Sequence, residues 1–153
     1  MTTASLRIDG VAVSIDGKGV LLRGPSGSGR SDLALRLIDE GAKLISDEQV
    51  ELHRDGERLL IGVPEVMPER LKGYIEARGL GLAQVPHVDV PQLLAWVVDM
   101  KDRAQIDRLP AAQSAEYLGL KAPLLKLDPF SLSATAKLRL AVRCGPGHIL
   151  GRE

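Results

Sequence analysis

Eight residues constrain this chain more than any others: Gly24-Pro25-Ser26-Gly27-Ser28-Gly29-Arg30-Ser31. Before them stands a continuous apolar run, Val20-Leu21-Leu22. After them Leu33, Ala34, Leu37 and Ile38 recur at the spacing of one helix face. The fold must deliver a strand into a glycine loop and leave it as a helix. Glycines permit positive φ and close backbone approach, which a loop needs to turn many N–H groups toward a bulky anion. The helix adds unpaired amides and its positive dipole end. A phosphate chain is the ligand this arrangement suits, and Ser31 stands where a P-loop places its Mg²⁺-coordinating hydroxyl. The strict pattern has Lys where this chain has Arg30; guanidinium keeps the charge but is wider and planar. The ligands expected are therefore ATP and Mg²⁺, with Gly24 to Ser31 holding the phosphates. No histidine can be assigned to Ser26 or Ser28, so neither reads as a hydrolase nucleophile.

The remaining elements follow from local pattern. Val11 to Ile15 and Val20 to Leu22 flank the turn Asp16-Gly17-Lys18-Gly19 and predict an antiparallel pair. Gly41 ends the helix, and Lys43 to Ser46 is a strand that runs into the acidic pair Asp47-Glu48. A hairpin is expected around Arg54-Asp55-Gly56-Glu57. The stretch holding Pro64, Pro68, Gly73, Gly79 and Gly81 reads as irregular, with one helical turn at Leu71, Tyr74 and Ile75. Leu93 to Met100 is a buried strand, Lys101 to Ser114 an exposed connection, and Leu124 to Leu127 a further strand. A last helix begins at Ser131 or Ser133 and stops at Gly145-Pro146-Gly147. With no repeat or linker, residues 1–153 read as one α/β domain with a mostly β core.

Composition narrows the partners. Twenty Lys+Arg balance twenty Asp+Glu, so no overall positive field favours nucleic acid or membrane. Aromatics are only 3% of residues, leaving few rings on which bases stack. Met1 to Gly10 has no apolar core of signal-peptide length, and the apolar runs are strand-sized, so a cytoplasmic location is expected. The lone Cys144 reads as an inert thiol, and His53, His87 and His148 share no ligand spacing.

The segment GVLLRGPSGSGRSDLALRLIDEGAKLISDE, together with IEARGLGL from Ile75 to Leu82, resembles HPr kinase/phosphorylase. The likeness runs from about residue 8 into the late LDPF and AKLRLAV region and matches that family's short form, without a separate N-terminal domain. It implies an architecture nearer phosphoenolpyruvate carboxykinase than the parallel-sheet nucleotide kinases. It also implies phosphate transfer between ATP or pyrophosphate and a serine of the phosphocarrier protein HPr, in phosphotransferase-system regulation, by a homo-oligomer (a hexamer in the family). Residue by residue, the resemblance makes Asp47 the acid that takes the serine proton. It makes Glu48 the second acid, usually Asp, and Glu76 a holder of the metal beside Ser31; Arg78 matches the signature arginine. The family's substrate-facing basic loop has no residue-by-residue match here, and Lys101, Arg103 and Arg108 are candidates for it only by position.

Two residues depart from the family pattern at its reactive centre. Arg30 replaces the loop lysine, and Asp9 stands where the family has a histidine, unless Asp9 lies in a turn with Gly10 away from the site. An anionic Asp9 would place negative charge near Asp47 and the phosphates. A kinase is therefore one expectation, and a degenerate, catalytically weak nucleotide-binding regulator of the same family is the second. A small-molecule kinase on an ordinary P-loop fold leaves IEARGLGL unexplained.

Overall fold

The computed structural model describes residues 4–149; the first three residues of the N-terminal stretch and residues 150–153 lie outside that range. The chain runs through β1 (Ser5–Asp9), β2 (Val11–Ile15), β3 (Lys18–Arg23), α1 (Arg30–Asp39), β4 (Lys43–Ser46), β5 (Gln49–Asp55) and β6 (Arg58–Gly62). It continues through β7 (Tyr74–Ala77), β8 (Gly81–Gln84), β9 (Gln92–Met100), β10 (Gln113–Tyr117), β11 (Leu120–Leu127) and α2 (Ala134–Cys144).

Nine strands form one sheet in the order β1-β5-β6-β9-β3-β2-β4, and β9 also carries β11, which pairs with β10. β7 and β8 form a separate hairpin. Alternate residues of the central strands enter two cores. Val11, Val13, Val20, Leu22, Trp96 and Val98 pack with Leu33 and Leu37 of α1 and Leu138 and Val142 of α2. Ala12, Leu21, Ile45 and Val97 face the other way, onto Val50, Leu52, Leu59 and Ile61. A strand covered on both faces reads as a continuous apolar run, which is why Val20 to Leu22 shows no alternation. Trp96 joins sheet to helix, its indole N–H donating to the Ala141 carbonyl at 3.1 Å.

The strand directions place the candidate residues. β3 runs parallel to β9, and β9 parallel to β11. β2 is antiparallel to both β3 and β4, so β4 runs with β3. The exits of β3, β4, β9 and β11 therefore share one edge of the sheet. From that edge leave the glycine loop, the Asp47-Glu48 turn, the 101–112 connection and the 128–133 turn. Ligands of α/β sheets gather at such carboxyl ends.

Several expectations are corrected. Leu71 ends a 3₁₀ turn (Glu69–Leu71), but Tyr74 and Ile75 belong to strand β7, whose partner β8 the glycine-rich stretch had concealed. The 101–112 connection gives way to strand at Gln113, and the last helix begins at Ala134 rather than at the preceding serines. Asp9 closes strand β1 opposite Gln49 of β5, so it is not part of a turn with Gly10.

Candidate functional site

The glycine loop has the backbone its composition demands. Gly24, Gly27 and Gly29 hold φ of 153°, 83° and 100°. Gly29 is the N-cap of α1 with no side-chain capping bond, so the first-turn amides of that ten-residue helix are left for another acceptor. Ser28 Oγ is buried without a hydrogen-bond partner among the described residues. Buried hydroxyls are normally satisfied, so this orphan is a donor that a ligand oxygen could satisfy. On these observations the loop fits a phosphate chain, with the half-buried Arg30 at its end.

Gly29 is also pinned from behind. A Cβ built there would lie 3.0 Å from Pro129 Cγ and 3.2 Å from Phe130 Cζ. Gly29→Val thus meets two obstacles, a φ that β-branched residues avoid and a turn that would have to retreat. The expected outcome is loss of ATP binding by calorimetry together with a melting temperature several degrees lower, since strain of about 1 kcal/mol or more accompanies such a position.

Asp47 is the hub of the site. Ser31 Oγ donates to its Oδ1 at 2.9 Å, and the backbone N–H of Glu76 donates to its Oδ2 at 3.0 Å. One carboxylate thereby joins the glycine loop, the acidic turn and the β7–β8 hairpin, which are far apart in sequence. The turn is tight: Gln49 N–H donates to the Asp47 carbonyl at 2.9 Å, and Glu48 takes a left-handed φ of 72°. Its carbonyl accepts from Gly10 N–H at 2.9 Å, which ties the β1–β2 junction to the same turn. Asp9 lies next to that junction, exposed and in register with Gln49. The topology thus brings Asp9 beside the acidic turn.

Glu48, Glu76 and Arg78 are exposed. Among the described residues no three His, Cys, Asp or Glu side chains form a ready metal cage. That suits Mg²⁺, which is commonly held by one or two protein groups plus substrate phosphates and water. The Ser31 hydroxyl, held on the Asp47 carboxylate, could serve such an ion, and Glu48 and Glu76 are the exposed carboxylates on the neighbouring turn and hairpin. His87 is structural, its Nδ1 2.9 Å from the Val85 carbonyl.

One feature escaped sequence reasoning. Arg23, the last residue before Gly24, makes a bidentate pair with Asp99, with Nε to Oδ1 at 2.6 Å and Nη2 to Oδ2 at 2.9 Å. Its Nη1 also donates to the Tyr117 hydroxyl at 2.9 Å. The hydrogen bonds that Arg23 donates to Asp99, with the one to the Tyr117 hydroxyl helping, push the guanidinium pKa above its ordinary value against the cost of partial burial. The pair clamps the exits of β3 and β9 together beneath the loop. Its only signal in sequence is that opposite charges close the two apolar runs Val20–Leu22 and Leu93–Val98.

Comparison with known proteins bears on the family and the fold. An HPr kinase/phosphorylase from Chlorobium phaeobacteroides is 32% identical over 135 residues, covering 79% of this chain and 40% of that protein. One from Exiguobacterium sp. is 41% identical over 76 residues, 50% of this chain and 24% of that protein. The chain therefore spans well under half the length of these curated relatives. The HPr(Ser) kinase/phosphatase from Coxiella burnetii has the same fold, with a TM-score of 0.75 at 24% identity over 90% of this chain and 94% of that one. Residues 2–128 match the family described as the HPr Serine kinase C-terminal domain, and the chain belongs to that family.

Proposed function

We propose that this chain is an ATP-dependent serine kinase/phosphorylase of HPr or a similar phosphocarrier protein, working in the cytoplasm as a homo-oligomer. The observation that carries the proposal is the Ser31–Asp47–Glu76 chain of hydrogen bonds, which joins a phosphate loop, a carboxylate and the family's signature hairpin at one sheet edge. Gly24 to Ser31 hold the ATP phosphates through backbone amides and the free Ser28 hydroxyl. Mg²⁺ would be held by Ser31, with Glu76 and Glu48 at the rim, and would supply neutralisation of phosphate charge when bound.

In the kinase direction the serine oxygen attacks the γ-phosphorus, the bond to the bridging oxygen breaks, and ADP leaves. The serine proton passes to Asp47, whose two oxygens each keep a free lone-pair position beyond the donors already bound. In phosphorolysis inorganic phosphate attacks the phosphoserine phosphorus, the bond to the serine oxygen breaks, Asp47 returns the proton to that oxygen, and pyrophosphate leaves. Lys101, Arg103 and Arg108 lie in the connection that leaves the same edge of the sheet, which supports them as candidates to meet the protein substrate.

A second reading has its own observation. Asp9 lies next to an already acidic turn, which opposes a bound polyphosphate and favours a nucleotide-binding regulator that transfers slowly or not at all. One assay separates them. The purified chain is incubated with γ-labelled ATP, Mg²⁺ and HPr from the same genome, and label in phosphoserine is measured. Label on HPr is expected. ATP binding without any label on HPr overturns the kinase in favour of the regulator.

A further inference from the structure

We propose that Phe130 is the platform on which the base of the nucleotide stacks, an inference that rests on reading the glycine loop as the phosphate site. The chain has one Trp, two Tyr and one Phe. Trp96 is buried at 1% exposure, Tyr117 has its hydroxyl on Arg23, and Tyr74 is half-buried in β7. Phe130 alone is left 72% exposed. A phenyl ring in water forgoes the large burial that aromatic side chains normally gain.

The backbone that carries the ring is nonetheless held in place. Phe130 N–H donates to Asp128 Oδ1 at 2.9 Å, and Ser131 N–H to the Asp128 carbonyl at 3.2 Å, so the turn after β11 is closed on itself. Arg36 of α1 donates to the Pro129 carbonyl while also pairing with Asp32 at 3.1 Å. The turn is thereby fastened to the helix that follows the glycine loop. Its contact with the loop is at Gly29, where the missing Cβ leaves room for Pro129 and for the edge of the Phe130 ring.

The two ends of the loop segment Gly29–Ser31 are chemically opposite. Ser31 meets Asp47, where the reacting phosphate and the serine must come together. Gly29 meets the Pro129–Phe130 turn. A nucleotide whose terminal phosphate lies toward Asp47 directs its nucleoside away from the acids, and the border it crosses is the one that carries Phe130. Beyond the ring opens a groove lined by Ile106, Arg108, Leu132, Lys137 and Leu140, which gives a planar base room without enclosing it. An open platform offers stacking and little edge recognition, so purine bases should be accepted alike.

The test compares ligands with and without a base. Calorimetric titrations use a non-hydrolysable ATP analogue, the GTP equivalent and inorganic tripolyphosphate, each with Mg²⁺. The proteins are the parent, Phe130→Ala and Phe130→Trp. Phe130→Ala should weaken both nucleotides by roughly tenfold or more, the scale of a base–aromatic stack, and leave tripolyphosphate within about twofold. Phe130→Trp should retain nucleotide affinity. Unchanged nucleotide affinity in Phe130→Ala overturns the platform while the phosphate loop stands. An equal loss for tripolyphosphate overturns it too, because the ring would then merely prop the loop. A parent that binds none of the three ligands removes the phosphate-site reading itself, and the platform with it.

Discussion

Asp47→Asn is expected to lower phosphoserine formation on HPr by roughly a hundredfold to ten-thousandfold, the range that a positioned general base contributes. The substitution is nearly isosteric, so the effect traces to charge and lone pairs. In the parent, Oδ1 accepts from Ser31 and Oδ2 accepts from the Glu76 amide. An Asn can keep one of these acceptors, but its NH₂ must face either the Ser31 hydroxyl, which can rotate and accept, or an N–H that cannot. The first orientation preserves the connection to β7 and loses only the proton acceptor. ATP affinity measured without Mg²⁺ should then stay within a few-fold of the parent, while transfer collapses. The companion variant Glu48→Gln locates the base independently, since Glu48 is exposed one residue away in the same turn. Transfer by Asp47→Asn within a few-fold of the parent, with collapse in Glu48→Gln, would move the proton acceptor to Glu48. Asp47 would then be left with the task of orienting Ser31.

The parts of this site that were legible in sequence are those whose chemistry is local. Gly24, Gly27 and Gly29 announce their positive φ because few other residues tolerate it, and the helix behind them repeats on one face over a single stretch. Asp47 is readable as a strand end. Its bond to the Glu76 amide is not, because that contact depends on how the β7–β8 hairpin docks. The hairpin itself was hidden by its turn, where Gly79 and Gly81 hold φ of 87° and 119° and break any periodic pattern.

Strands β1 and β10 failed to register for a different reason. SLRID and QSAEY are polar strands with little of their surface buried, so neither carries a hydrophobic signal. The Arg23–Asp99 clamp is 76 residues apart in sequence and exists only because β3 and β9 run side by side. Pairing between distant strands is a property of the assembled sheet, and single-residue pattern does not encode it.

Arg30→Lys with Asp9→His, the residues that the resemblance implies at these two positions, should raise phosphate transfer above that of the natural chain. At position 30 the guanidinium imposes a planar fork and needs width, whereas an ammonium reaches the β- and γ-phosphates as a compact charge. Arg30 is half-buried at the first turn of α1, where the backbone leaves little freedom to re-aim a wide head group. At position 9 the carboxylate stands in register with Gln49, two residues from Asp47, and adds negative charge to an edge that must accept polyphosphate. A histidine there removes that charge and carries a positive one when protonated. Asp9 is exposed at the end of an edge strand, so the exchange displaces no core packing. Misplacement of a reacting group by on the order of 1 Å costs roughly a hundredfold in rate, so correcting phosphate position and field together has room for a gain of that size. Arg30→Lys with Asp9→His is therefore expected to label HPr faster than the parent, by tenfold to a hundredfold on that scale, with each single change giving part of the gain. A double variant that binds ATP and is no faster would show that Arg30 and Asp9 belong to a working site of different design. Arg30 would then be the group aligning the phosphates in its own geometry, and Asp9 a determinant of which partner the acidic edge admits.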